Sequence, residues 1–205
     1  MKEKSKYIGN EVEYLKRVLA SKEWSATAGS ANKQLEEMFA DKFQSKYAVS
    51  FNSGTATLHA ALLALGVSRG DEVISPAFSV MFNTTSTLHA NAIPVYADVD
   101  PETFNIDPVD LEKKITSRTK AIQIVSIYGL SPDMDKIIEI SKKYKIPIIE
   151  DNAECFLGYY KNKLVGTFGE ISSYSFEGSK HISCGEGGIL TTNNEEYATI
   201  CRKVG

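Results

Sequence analysis

Seven short β-prone runs punctuate this chain, and most are apolar from end to end: Tyr47–Phe51, Glu72–Ser75, Ile93–Ala97, Ala121–Tyr128, Pro147–Ile149, Ile171–Phe176 and Gly188–Thr192. A strand with one wet face alternates apolar and polar residues, whereas a continuous apolar run is what a strand covered on both faces looks like. Helical segments separate the runs. Ala31–Phe43 carries Leu35, Met38, Phe39 and Phe43 at helical spacing, and Ala56–Leu65 is closed by Gly66, where a left-handed cap is expected. Phe82–Ala90 follows; then Asp107 with Pro108 gives a capped helix start running to about Ile115. Met134–Tyr144 turns Ile137, Ile138 and Ile140 inward. Strands alternating with helices predict a three-layer α/β/α fold around a mostly parallel seven-stranded sheet. Ligands of such sheets sit at the carboxyl ends of the strands.

Ahead of the first strand, Asn10–Leu19 reads as an amphipathic helix with Val12, Leu15, Val18 and Leu19 on one face. Trp24–Ser30 reads as a loop whose tryptophan either lines a pocket or caps the edge of a core. The expected organisation is therefore an N-terminal helix and loop over residues 1–30 and one large domain over 31–205. The formal net charge of −3 argues against a nucleic-acid binder working through a basic footprint. Met1–Asn10 has basic residues but no apolar core behind them, so no signal peptide is expected, and no apolar run approaches a membrane span. The expected compartment is the cytoplasm. Cys155, Cys184 and Cys201 are an odd set without metal-ligand spacing, which points to reduced thiols and to no metal site.

Three strand ends hold the residue types that could carry chemistry. The stretch S-S-Y-S-F-E-G-S-K-H-I-S-C-G-E-G-G, Ser172–Gly188, places Lys180 in a loop after a buried strand, where an amine can be partly desolvated and act as a nucleophile. Asn52-Ser53-Gly54-Thr55 joins a strand to a helix N-terminus, an anion site by its free amides and dipole, or a plain helix cap. It lacks the glycine-lysine-threonine ending of a P-loop. Asp151 stands just past a wholly apolar strand, where a carboxylate is costly unless a cation or several donors meet it; a helix cap or an ion pair also satisfies that need. Ser175 is placed to reach a phosphate held by the Gly54 turn. Together a phosphate cradle, a carboxylate and a lysine suit pyridoxal phosphate, which needs an anion site, an acid partner for its ring nitrogen and a covalent lysine.

The successive motifs N-S-G-T-A-T-L-H-A-A-L-L-A-L-G, G-D-E-V-I-S-P, I-P-V-Y-A-D-V-D, I-I-E-D-N-A-E, G-T-F-G, S-F-E-G-S-K-H and G-E-G-G-I-L-T-T resemble those of the DegT/DnrJ/StrS family. These are pyridoxal-phosphate nucleotide-sugar aminotransferases of fold type I, and the likeness runs in unbroken order from about Trp24 to Gly205. The resemblance implies pyridoxal 5'-phosphate as cofactor, with Lys180 bound to it and acting as catalytic base and acid, and Asp151 paired with the ring nitrogen. It implies that Gly54, Thr55, Ala56 and Ser175 hold the phosphate, and that Glu154 contacts the ring where relatives carry glutamine or histidine. It further implies L-glutamate as amino donor, a nucleotide-activated keto sugar as acceptor, a role in amino-sugar or surface-polysaccharide biosynthesis, and a homodimer.

Two departures stand out. Val80 occupies a position where the family often has an aromatic residue stacked on the cofactor, with Phe78 and Phe82 as nearby substitutes. The smaller C-terminal domain of family members is expected to be absent from this chain, which keeps open a second reading, a non-catalytic cofactor-binding or interaction fragment. A nicotinamide oxidoreductase is disfavoured because no G-x-G-x-x-G turn follows the first strand. His59 and His89 read as packing or surface residues, and His181 as pointing away from Lys180. Some related sugar dehydratases carry histidine where Lys180 stands, so the lysine favours transamination.

Overall fold

A computed structural model describes residues 9–25 and 29–205. The segment Met1–Ile8 and residues 26–28 of the expected loop lie outside the described residues. The sheet is built from β1 (Tyr47–Phe51), β2 (Glu72–Pro76), β3 (Ile93–Ala97), β4 (Thr119–Val125), β5 (Ile148–Asp151), β8 (Ile171–Ser175) and β9 (Gly188–Thr192), in the order β1-β9-β8-β5-β4-β2-β3. Every neighbouring pair from β8 to β3 is parallel, while β9 runs antiparallel to both β1 and β8. The expected α/β architecture with a mostly parallel seven-stranded sheet is thus the observed one. A two-stranded hairpin, β6 (Tyr159–Tyr160) with β7 (Lys163–Leu164), sits apart from it.

Helices cover both faces because alternate side chains of each strand point to opposite layers. On one face Leu58 and Leu62 of α3 (Gly54–Ala64) and Cys201 of α7 (Glu195–Val204) join Ala121, Ile149 and Ile171. On the other, Leu111 of α5 (Pro108–Lys114) and Ile137 and Ile140 of α6 (Met134–Tyr144) pack on Ile74, Ile122, Ile124 and Ile148. A third cluster sets Phe39 and Phe43 of α2 (Ser30–Lys42) against Tyr174, Phe176 and Ile189. The remaining helices are α1 (Glu11–Ser21) and α4 (Phe82–His89).

Several local expectations change. The run Ala121–Tyr128 is not one strand: β4 ends at Val125, and a single 3-10 turn, Ile127–Gly129, leads the chain out of the sheet. Tyr128 and Gly129 take φ of +52° and +83°, left-handed values that no strand continues through. The apolar stripe of α1 exists, but Val12, Leu15 and Leu19 are each more than 60% exposed, and Trp24 is exposed as well. In α2, Phe39 and Phe43 are buried while Leu35 and Met38 face outward. The edge strand β3 is only partly covered, leaving Ile93 and Tyr96 exposed on opposite faces. Gly66 does adopt the left-handed conformation that ends α3, at φ +73°, and Asp107 does cap α5 by accepting the Val109 amide. Among the described residues no helix is long and apolar enough to cross a membrane.

Candidate active site at the carboxyl ends of the strands

A cavity of about 490 Å³ opens where the parallel strands end, and Gly54, Thr55, Asp151, Glu154, Ser175 and Lys180 all line it. Its floor begins at the β1–α3 turn. Ser53 caps the helix by accepting the Ala56 amide at 3.1 Å. The first amides of a helix have no carbonyl partner within it, and among the described residues no acceptor meets those of Gly54 and Thr55. Glycine is required at position 54, since a Cβ there would lie 2.9 Å from the Cβ of Ser175. Gly188 backs the turn: a Cβ on it would come within 2.4 Å of the Ser53 carbonyl oxygen. Ala56 faces elsewhere. Its amide is taken by Ser53, and it lines a neighbouring cavity with His59.

The pair Glu150-Asp151 shows strand alternation sorting two carboxylates into two jobs. Glu150, 1% exposed, turns away from the cavity and accepts the amides of Gly166, Phe168 and Gly169 at 2.6–2.7 Å. Burial pushes its carboxyl upward, and those three N–H bonds pull against that rise. Asp151 turns toward the cavity. Its Oδ1 accepts the Ala153 amide and its Oδ2 the Asn83 side-chain amide, both at 3.1 Å. Burial raises the Asp151 carboxyl above its ordinary value of 3.8, the bonds from Ala153 and Asn83 and the charge of Lys180 lower it, and Glu154 raises it further.

That raised carboxyl predicts a pH effect on the cofactor-free protein. A folded-state value above the unfolded one gives a stability contribution fully present below pH 3.8 and lost as pH rises through the folded value. Denaturant titrations from about pH 4 to pH 8 should therefore show wild type losing stability relative to Asp151→Asn as pH rises. A difference that stayed flat, or widened in favour of wild type, would mean that the carboxylate is not held at a cost.

Lys180 projects from the turn after β8. The turn is tied by Lys180 N to the Glu177 carbonyl at 3.0 Å, by Ser179 N to the Glu177 carboxylate at 2.9 Å, and by Phe176 N to the Gly187 carbonyl at 2.8 Å. The lysine side chain is 17% exposed, and its Nζ lies 3.6 Å from Glu154 Oε1. The other oxygen of Glu154 accepts the Tyr128 amide at 3.0 Å, an arrangement that uses the carboxylate as an acceptor. Ser175, buried beside Gly54, accepts the Glu177 amide at 3.3 Å.

Of the aromatic candidates, Phe82 lines the cavity together with Val80. Phe78 packs instead toward Phe104 and Tyr128, at ring distances of 5.6 and 6.3 Å. His181 packs on Phe156 at 6.2 Å, and His59 meets His89 edge-on at 5.7 Å. Of the residues singled out in the sequence, Lys180, Asp151, Glu154, Ser175, Gly54 and Thr55 line this one cavity, whereas Ala56 lines the neighbouring one. Sequence reasoning missed Asn83 and the role of Glu150. Asparagine inside a helix is a weak signal of a polar contact, but its partner lies 68 positions away.

A family model described as the DegT/DnrJ/EryC1/StrS aminotransferase family matches residues 6–204. The chain is 42% identical over 193 residues to a GDP-perosamine synthase of Escherichia coli, covering 94% of this chain and 53% of that protein. It is 44% identical over 172 residues to a UDP-2-acetamido-2-deoxy-3-oxo-D-glucuronate aminotransferase of Pseudomonas aeruginosa, covering 83% and 48%. Among solved structures, NtdA from Bacillus subtilis with bound cofactor PMP superposes with a TM-score of 0.88 at 34% identity, covering 96% of this chain and 45% of that one. The chain spans about half the length of the curated relatives it matches.

Proposed function

The chain belongs to the DegT/DnrJ/EryC1/StrS aminotransferase family, and on that premise we propose that it is the cofactor-binding part of a pyridoxal-phosphate enzyme. That enzyme moves an amino group from L-glutamate onto a keto group of a nucleotide-activated sugar, for amino-sugar or surface-polysaccharide biosynthesis. The observation that carries the reading is the meeting of Lys180, Asp151 and the Gly54–Thr55 turn, from three separate strand ends, around one cavity of about 490 Å³. Residues 31–205 are the cofactor-binding domain in this reading. The relatives at hand act on a GDP sugar and on a UDP sugar, so the acceptor is proposed as a class.

The residues fit pyridoxal 5'-phosphate on their own chemistry. The Gly54 turn is a backbone cradle that a Cβ would fill, the two amides at its helix start meet no acceptor among the described residues, and the buried Asp151 carboxylate faces a cavity that a cation would suit. Gly54, Thr55 and Ser175 would hold the phosphate, Asp151 the ring nitrogen, and Lys180 the aldehyde carbon. Pyridoxal phosphate supplies an aldehyde that takes up amines covalently and a ring that accepts the electron pair released when a neighbouring C–H bond breaks.

The protein's part is to place protons. Lys180 Nζ, held near Glu154 at the cavity wall, takes a proton from the donor's Cα and returns one elsewhere, as general base and acid. Asp151 would keep a proton on the cofactor's ring nitrogen by its negative charge. Glu154 forms an ion pair with Lys180 at 3.6 Å and is itself held by the Tyr128 amide, so its carboxylate orients the lysine between turnovers. Phe82 and Val80 give the cavity one apolar wall.

A homodimer is part of the proposal, supported by the uncovered apolar stripe of α1 and by exposed Leu35 and Met38 on α2. The cytoplasm is the proposed compartment, in keeping with three free cysteines. A second reading is a part that binds cofactor without turnover by itself; the chain spans about half the length of the relatives it matches. One experiment addresses both. Pyridoxal phosphate followed by borohydride reduction and peptide mapping should place the label on Lys180, and label confined to surface lysines would overturn the site. Turnover with L-glutamate and a keto-sugar nucleotide then separates the enzyme from the fragment.

A further inference from the structure

One oxygen of Asp151 is held by a residue from outside the three strand-end segments that build the cavity. Asn83, in the first turn of α4 and 2% exposed, donates its Nδ2–H to Asp151 Oδ2 at 3.1 Å. Which end of that amide meets the aspartate is set by Ser79, whose hydroxyl donates to Asn83 Oδ1 at 2.9 Å and so leaves the nitrogen for Asp151. The backbone of Asn83 is fixed too. The hydroxyls of Ser86 and Thr87 both donate to its carbonyl at 2.9 Å, and Gln123 of β4 donates to Ser86 Oγ at 3.2 Å. A buried amide is costly unless its polar atoms are paired. Here both ends of the amide are used, and the chain of bonds ends on a buried carboxylate that faces the cavity.

We propose that Asn83, oriented by Ser79, is a positioning residue of this site that fixes the plane of the Asp151 carboxylate and aims it at a cationic ring nitrogen in the cavity. With one N–H on each oxygen, from Ala153 and from Asn83, the carboxylate cannot rotate without losing both bonds. The charged groups facing Asp151 are Lys180, from the turn after β8, and Glu154, from the segment after β5; α4 contributes a neutral donor. Removing that donor leaves burial and Glu154 opposed only by Ala153 and Lys180, so the ionised form becomes harder to hold. The cofactor half of this inference rests on the reading of Asp151 given above; the relay itself does not.

The test uses the full chain without cofactor, then with it. Carboxyl-carbon NMR, with the Asp151 signal assigned through Asp151→Asn, follows its titration in wild type, Asn83→Leu and Ser79→Ala. Asn83→Leu should move the midpoint upward and Ser79→Ala should move it the same way by less. Fluorescence titration with pyridoxal 5'-phosphate should show Asn83→Leu binding about tenfold more weakly or worse, the loss expected of a hydrogen bond to a charged group. An Asn83 that served structure alone would lower thermal stability and leave the midpoint in place, which overturns the proposal. If Asn83→Leu does not fold, an unmoved midpoint in Ser79→Ala overturns it equally. Should wild type take up no pyridoxal phosphate, the functional reading fails, and the titrations still decide the relay.

Discussion

Lys180→Ala should abolish borohydride-trapped attachment of pyridoxal phosphate and lower transamination turnover by about a thousandfold or more. The size follows from the number of roles that meet on one nitrogen. Among the described residues Lys180 is the only cation lining the cavity, against the carboxylates of Asp151, Glu154, Glu177 and Glu186. It is also the nucleophile and the proton carrier of the proposed reaction. Lys180→Arg separates these. Arginine keeps a positive charge opposite Glu154 but is not deprotonated in proteins and cannot serve as nucleophile or base. Turnover by Lys180→Arg should fall as far as that of the alanine variant while thermal stability stays near wild type. Retention of turnover in either variant, measured with L-glutamate and a keto-sugar nucleotide, would remove the lysine from the mechanism.

The largest effect on stability is expected one residue before the site. Glu150→Ala strands the amides of Gly166, Phe168 and Gly169 beneath the sheet. At about 1–3 kcal/mol for each buried donor left unmet, the loss should reach about 4 kcal/mol. For a chain of this size that lowers Tm by about 10 °C. Glu150→Gln should fall between, since one oxygen still accepts while the new NH2 group faces an N–H. Calorimetry on the three proteins reads this directly, and equal melting temperatures would show that solvent reaches those amides. Asp151→Asn provides the contrast: a similar change one residue on, aimed at the cavity, should be far milder for folding and severe for function.

These neighbours also mark how far the sequence is legible. A carboxylate at the end of an apolar strand is visible as an anomaly, and Asp151 could be singled out for that reason. Glu150 beside it shows the same anomaly, but its explanation is a loop at Gly166–Gly169 that folds back under the sheet, which no local pattern announces. Gly54 and Lys180 were readable because a tight turn and a lysine in a small-residue loop are local features. Asn83 was not, because its meaning lies in a contact between α4 and β5. The seven strands followed from uninterrupted apolar runs, whereas the end of β4 depended on Tyr128 taking a left-handed conformation that tyrosine rarely adopts. Helix α7 went unread although its signals were present: Asn194 as cap, Glu195 and Glu196 in the first turn, Arg202 and Lys203 in the last.

The antiparallel placement of β9 has a consequence for how the chain reaches this structure during synthesis. Within the sheet β1 pairs with β9 alone, so residues 47–51 leave the ribosome long before residues 188–192 exist to receive them. Pairings of such long range are closed late because the loop entropy must be met first. The parallel strands β2 to β5 can assemble as they emerge; the Ser53–Gly54 turn, backed by Gly188, has to wait. A nascent chain halted before Gly188 would hold Asp151 and Lys180 but no finished cradle beside them, so competence to capture an anion should arise in one late step.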